Sequence, residues 1–131
     1  HRGLYGFVKD ILAIYNDHDA FWKKDDSWDG FKWINADDNQ NSVYSMCRKS
    51  DDETIIAVVN MTPVERYDYW LSLEEEGTYT LLLNSDDKKY SGEGATQVPS
   101  ELITDNDSPE FRNRLRVNLP PMSVLYYRLN K

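Results

Sequence analysis

TIIAVVNMTPVERYDYWL, residues 54 to 71, is the stretch that decides the fold. Its first half carries Ile55, Ile56, Val58 and Val59, β-branched side chains that suit a pleated strand. Pro63 then fixes φ and supplies no N–H, so the strand has to end before it. Asn60 and Thr62 precede the proline with short polar side chains that can bond to local backbone and hold a corner. Tyr67, Tyr69 and Trp70 follow with strand-type composition again. A rigid polar corner between two strands predicts an architectural turn that sends Arg66 to Trp70 back across the sheet.

Strand-like runs recur on either side of this corner, at residues 31–34, 42–48, 78–83, 115–119 and 123–129, separated by Asp, Asn, Gly and Pro clusters. With 54–60 and 66–71 they predict an all-β domain, an antiparallel β-sandwich. Residues 49–52 and 74–77 read as hairpin turns, while 84–113, rich in Asp, Ser, Gly and Asn, reads as one long loop excursion. Trp33 and Tyr79 are expected in the core. Ahead of the strands, Leu4, Phe7, Val8, Ile11, Leu12 and Tyr15 recur at helical spacing, which predicts an amphipathic helix over 3–17. Leaving that stripe in water would forfeit on the order of 10 kcal/mol, so it needs a partner surface, either the sandwich or a second copy. Residues 1–26 are accordingly read as helix and linker, and 27–131 as the sandwich.

The chain of 131 residues, with 40% hydrophobic and 13% aromatic residues, is long enough for one self-sufficient core. A formal charge of -8 and a pI near 4.7 would repel phosphate backbones and anionic lipid, which argues against nucleic-acid and membrane partners. The longest aliphatic run, Ile55 to Val59, is far too short to span a bilayer. One cysteine, Cys47, and no apolar leader fit a cytoplasmic location.

Candidate chemistry is sparse. Asp25/Asp26, Asp37/Asp38, Asp51/Asp52 and Asp86/Asp87 are adjacent pairs, and neighbouring strand residues point to opposite faces, so they read as solvated turns rather than acid/base pairs. His1, His18 and Cys47 lack metal-ligand spacing, and Asp37, Asp38 and Asn39 lack the alternation of a calcium loop. No catalytic residue, metal site or cofactor is expected. The remaining candidates are aromatics in or near polar loops, Trp28, Trp70 and Tyr90, whose flat faces suit the apolar C–H faces of sugars.

Several stretches together resemble the C-terminal end of the bacterial glycogen branching enzymes, a family of 1,4-α-glucan branching enzymes in the α-amylase superfamily. His1-x-Gly3, Val8-Lys9-Asp10 and Tyr15 resemble the last helix of that family's catalytic barrel, with Leu12 where Asn is usual. GFKWI at 30–34 with Asp37/Asp38 and Ser42-Val43 resembles the entry into its C-terminal all-β domain. NMTPVERYDY at 60–69, Leu83-Asn84-Ser85-Asp86, Tyr90-Ser91-Gly92-Glu93-Gly94 and LPPMS at 119–123 complete the resemblance in order. Trp70 departs from it, standing where a basic residue is common, as does Ser72, where Gly is usual.

The resemblance implies an enzyme that cleaves an α-1,4 link and makes an α-1,6 branch, with its catalytic carboxylates in a barrel that nothing in this segment matches. Retaining chemistry needs two carboxyls about 5 Å apart across the bond, so this segment by itself is expected to be inert. It further implies the barrel as partner, contacted by Leu4, Phe7, Val8, Ile11 and Arg66, and α-glucan as a possible ligand of Trp28, Trp70 and Tyr90. Three rival readings stay open: a free-standing carbohydrate-binding module, the equivalent domain of another amylase-superfamily hydrolase, and a purely structural interaction domain.

Overall fold

A computed structural model describes residues 2–23, 30–35, 42–106 and 113–130. Helix α1 (Arg2–Asp17) leads into a short 3-10 turn at Asp19–Phe21. Eight strands follow among the described residues: β1 (Phe31–Asn35), β2 (Val43–Lys49), β3 (Thr54–Asn60), β4 (Arg66–Leu73), β5 (Thr78–Asn84), β6 (Glu101–Ile103), β7 (Asn113–Leu119) and β8 (Ser123–Leu129). They form a six-stranded sheet in the order β1-β2-β3-β8-β5-β6 and a two-stranded sheet, β4-β7, with every pairing antiparallel. The all-β expectation holds.

The core lies between the two sheets. Alternation along β7 turns Leu115, Val117 and Leu119 inward, and along β8 it turns Leu125, Tyr127 and Leu129 inward, where they meet Ile56, Val58, Leu71, Leu73 and Tyr79. The unbroken apolar run of β3 has its own reason. The strand is central and buried on both faces: Ile56 and Val58 point into the core, while the opposite side of the sheet is packed against the 3-10 turn. There Phe21 lies 5.3 Å from Tyr126, and its carbonyl accepts a hydrogen bond from Arg48 Nη2 at 2.5 Å.

The corner at 60–64 is architectural, as its residues suggest, but it serves a different purpose. It carries the chain from the six-stranded sheet into the two-stranded one rather than back across its own sheet. Asn60 is buried, and its Nδ2 donates to the carbonyls of Val64 and Pro120, each at 2.9 Å. Its Oδ1 accepts from the Thr62 N–H and hydroxyl at 3.1 and 2.8 Å. One amide thus fastens the corner to the β7–β8 connection.

Four further readings change. Residues 74–77 join β4 to β5 across the two sheets and are not a hairpin, whereas 50–53 does link the paired strands β2 and β3. The 84–113 stretch is not one loop, since it contains the 3-10 turn Lys88–Tyr90, strand β6 and a bridge from Asp105 to Arg114. Tyr79 is in the core, but Trp33 is 54% exposed. On edge strand β1 the alternation sends Ile34 to the core and leaves Trp33 packed edge-on against Phe31, ring centroids 5.3 Å apart. Finally, the apolar stripe of α1 is divided: Phe7 and Ile11 are half-buried against the sandwich, whereas Leu4, Val8, Leu12 and Tyr15 stay exposed together with Tyr5.

Candidate functional site

The inward side of α1 rests on a platform built by the loop after β5. Asn84 Oδ1 accepts from the Asp86 N–H at 3.0 Å, and the Asp86 carboxylate accepts from the N–H groups of Glu93 and Gly94, both at 3.3 Å. Asp87 caps the following 3-10 turn by accepting from the Lys89 N–H at 3.0 Å. Ser85 Oγ accepts from the Val124 N–H at 2.8 Å, which anchors the loop to β8. Gly92 is required here, because a Cβ would overlap the Asp86 backbone.

This loop presents Tyr90 to the helix. The ring packs edge-on against Phe7, with centroids 5.3 Å apart, and the phenol donates to Asp10 Oδ2 at 2.5 Å. Gly3 completes the seat, since a side chain there would meet the Tyr90 carbonyl. The Tyr90 phenol is pushed well above its ordinary range, by burial first, then by its hydrogen bond to Asp10 and the negative charges of Asp10 and Asp87. It stays protonated and donates. Beside it, Leu4, Phe7, Ser85, Tyr90, Ser91, Met122 and Val124 line an open groove of about 530 Å³.

A second attachment holds the segment after the helix. Glu53, only 7% exposed, accepts from Arg128 Nε at 3.0 Å and from the Ala20 N–H at 3.3 Å, and it lies 2.7 Å from His18 Nδ1. Next to it, Ser50 Oγ donates to Asp19 at 2.5 Å, which holds that carboxyl below its ordinary range. Nothing in the sequence spacing pointed to this cluster, because Arg128 lies 75 positions from the Glu53 it pairs with.

The outer face of the small sheet carries the third feature. Trp70 and Ser72 point outward from β4, and Arg114 and Arg116 do so from the paired β7. Arg114 lies over the indole at 4.1 Å and Arg116 at 5.8 Å. Arg114 Nη2 also reaches Asp105 at 3.3 Å, and Arg116 Nε reaches Asp68 at 3.4 Å. Trp70, Glu101, Leu102, Ile103, Asp105 and Arg116 enclose a cleft of about 360 Å³.

Residues 33–130 match the family described as alpha amylase, C-terminal all-beta domain. The chain belongs to that family. Among curated proteins it is similar to the 1,4-alpha-glucan branching enzyme GlgB of Francisella tularensis subsp. mediasiatica, 33% identical over 133 residues that cover 100% of this chain and 21% of the relative. The enzyme of the same name from Francisella philomiragia subsp. philomiragia is 34% identical, with the same coverage of both chains. This chain therefore spans about a fifth of the length of the curated relatives it matches. Among solved structures, the alpha-amylase from H. orenii superposes with a TM-score of 0.56 at 18% identity, covering 91% of this chain and 19% of that one. An isomaltulose synthase mutant from Erwinia rhapontici in complex with D-glucose gives 0.57 at 18%, covering 93% and 17%. At these identities the structures speak to the fold.

Within this all-beta domain the residues singled out from sequence do not converge. Tyr90 belongs to the helix platform, Trp70 to the outer face of the small sheet, and Trp28 lies outside the described residues, as do Asp25/Asp26, Asp37/Asp38 and Asn39. Of the suggested contact residues, Phe7 and Ile11 face the domain itself, Leu4 and Val8 are exposed, and Arg66 is half-buried with its Nε lacking a hydrogen-bond partner. Among the described residues no three His, Cys, Asp or Glu side chains come together where they could hold a metal ion, and no helix is long and apolar enough to cross a membrane.

Proposed function

We propose that this chain is the C-terminal domain of a cytoplasmic 1,4-α-glucan branching enzyme, and that it braces the enzyme's catalytic barrel without supplying catalytic groups. The observation that carries the reading is the match to branching enzymes along the whole chain at 33–35% identity. The bracing role is supported by the outward side of α1, where Tyr5, Val8 and Leu12 are exposed, with Leu4 and Tyr15 exposed along its border with the domain. Covering these side chains with a second apolar surface is favourable at about 25 cal/mol per Å². The opposite side of the same helix is already seated on Tyr90, so the helix can act as a shim between two bodies. Leu4 and Val8 are the contact residues this reading retains; Phe7 and Ile11 hold the helix from below.

The test is the longer protein, assayed on amylose for new α-1,6 linkages by the anomeric NMR signals. Branching by the longer protein and none by this chain alone is the expected result. Hydrolysis without transfer would overturn the reading. In the longer protein, Val8→Asp combined with Leu12→Asp should lower the unfolding temperature by several degrees and cut the branching rate several-fold, while leaving the isolated chain folded; unchanged behaviour of the longer protein would remove the bracing role.

A further inference from the structure

We propose that the cleft beside Trp70 is an α-glucan-binding subsite, which stacks a glucose unit on the open part of the indole and holds its hydroxyls with the charged residues around it. The inference rests on the reading of the chain as part of a glucan-acting enzyme. Trp70 is 43% exposed, and the cleft it lines, about 360 Å³, falls within the roughly 300–1,000 Å³ of small-molecule sites. Ile103, 74% exposed, extends the apolar floor beside the ring. Such a floor matches the C–H face of a pyranose, which stacks on aromatic carbon as other apolar surfaces do.

The charges around the ring choose the ligand. Arg114 and Arg116 are balanced by Asp105 and Asp68, and Glu101 adds a further negative charge at the rim. A phosphate or carboxylate ligand would have to compete with these carboxylates for each guanidinium. A neutral polyol needs no net charge, and it benefits from donors and acceptors set side by side, since each hydroxyl both gives and receives a hydrogen bond. Arg114 does a second thing. Held by Asp105, with its guanidinium carbon 4.1 Å from the centre of the indole, it restrains the orientation of the ring before any ligand arrives, which lowers the ordering cost of binding.

The other exposed tryptophans among the described residues are differently employed. Trp22 donates its indole N–H to the Tyr15 carbonyl at 2.9 Å, and Trp33 is packed edge-on against Phe31. Tyr90, with its hydroxyl on Asp10 and its ring on Phe7, is a structural clamp and not a sugar platform.

The experiment is a titration of the chain with maltoheptaose, following the indole N–H signals by two-dimensional NMR, with the Trp70 signal assigned from Trp70→Phe. A saturable shift of that signal is expected, with Trp70→Ala weakening binding about tenfold and Trp70→Phe, which keeps a flat ring, weakening it less. Thermal unfolding of each variant checks that it remains folded. An unmoved Trp70 signal up to millimolar sugar, or equal affinity in Trp70→Ala, overturns the subsite. Equal binding of cellohexaose overturns its assignment to α-glucan. Because branching by the longer protein is read in a separate assay, a flat titration beside positive branching removes the subsite and leaves the enzyme reading standing.

Discussion

Tyr90 and Trp70 are both aromatics set among polar residues, and from the sequence both suit a sugar. The fold uses them in opposite ways. Tyr90 is turned inward under α1, with its edge against Phe7 and its hydroxyl on Asp10. Trp70 is turned outward on a strand whose alternate residues, Leu71 and Leu73, fill the core. The difference teaches that what surrounds an aromatic, and not its type, decides whether it holds the protein together or remains available to a ligand. A residue whose hydroxyl is already donating to a neighbour, as Tyr90 is, has no donor left to offer a ligand.

The hardest test of the contrast strikes the loop that carries Tyr90. A Cβ at Gly92 would overlap backbone atoms of Asp86 that are themselves fixed by hydrogen bonds, so neither side can yield cheaply. Gly92→Val should cost about 3 kcal/mol or more in denaturant unfolding and accelerate amide exchange through α1. If α1 stays protected in the variant, Tyr90 is not what seats the helix.

How far the sequence foretold this arrangement depends on the range of the interaction. Periodicities are local, so α1, the alternating strands and the buried Tyr79 could be read from neighbours a few residues away. The sheet to which a strand belongs is not local. Residues 74–77 have turn composition whether they close a hairpin or cross between sheets, and only the pairing of β4 with β7 decides. Trp33 misled for a related reason, since hydrophobicity says that a side chain prefers burial but not that its strand is an edge. The resemblance motifs around Gly3, Asn84 to Asp86 and Tyr90 to Gly94 were visible as separate words. That they meet to form one seat for the helix became clear only in three dimensions. The Glu53 cluster had no local signal at all, because a glutamate beside two aspartates in a turn looks solvated until Arg128, His18 and the Ala20 N–H close over it.

Alkaline titration sharpens the comparison at the level of single protons. The folded-state pKa of Tyr90 is raised, so above an unfolded-state value of about 10 the unfolded chain releases the phenolic proton first and stability falls as pH climbs. Its contribution is fully present below about pH 10 and is lost as pH rises through the folded-state value. Tyr79 and Tyr127, both raised by burial, add their own alkaline loss from the core. Tyr90→Phe removes one of these titrations while keeping the ring on Phe7. Stability of the variant, followed by thermal unfolding across the alkaline range, should therefore decline less steeply than that of the parent, with α1 amides showing the difference most clearly. Parallel curves would mean that the phenol is not buried against Asp10 in solution. No comparable alkaline change is expected from the indole of Trp70, which has no proton to lose in that range.

The smallest expected effect is also the most discriminating. Removing the indole in Trp70→Ala takes away an outward-facing ring and its stacking with Arg114, an interaction worth about 0.5–1 kcal/mol at an exposed site. Leu71, Leu73, Leu115 and Val117, which join the two sheets, are untouched by the change. The unfolding free energy from denaturant titration should fall by no more than about 1 kcal/mol, and α1 should keep its exchange protection. A loss of several kcal/mol would show that the ring and its arginines hold β4 to β7, and would place Trp70 with Tyr90 among the residues spent on the scaffold. A near-neutral change leaves an exposed tryptophan that contributes little to stability, the condition a ligand platform on this face requires.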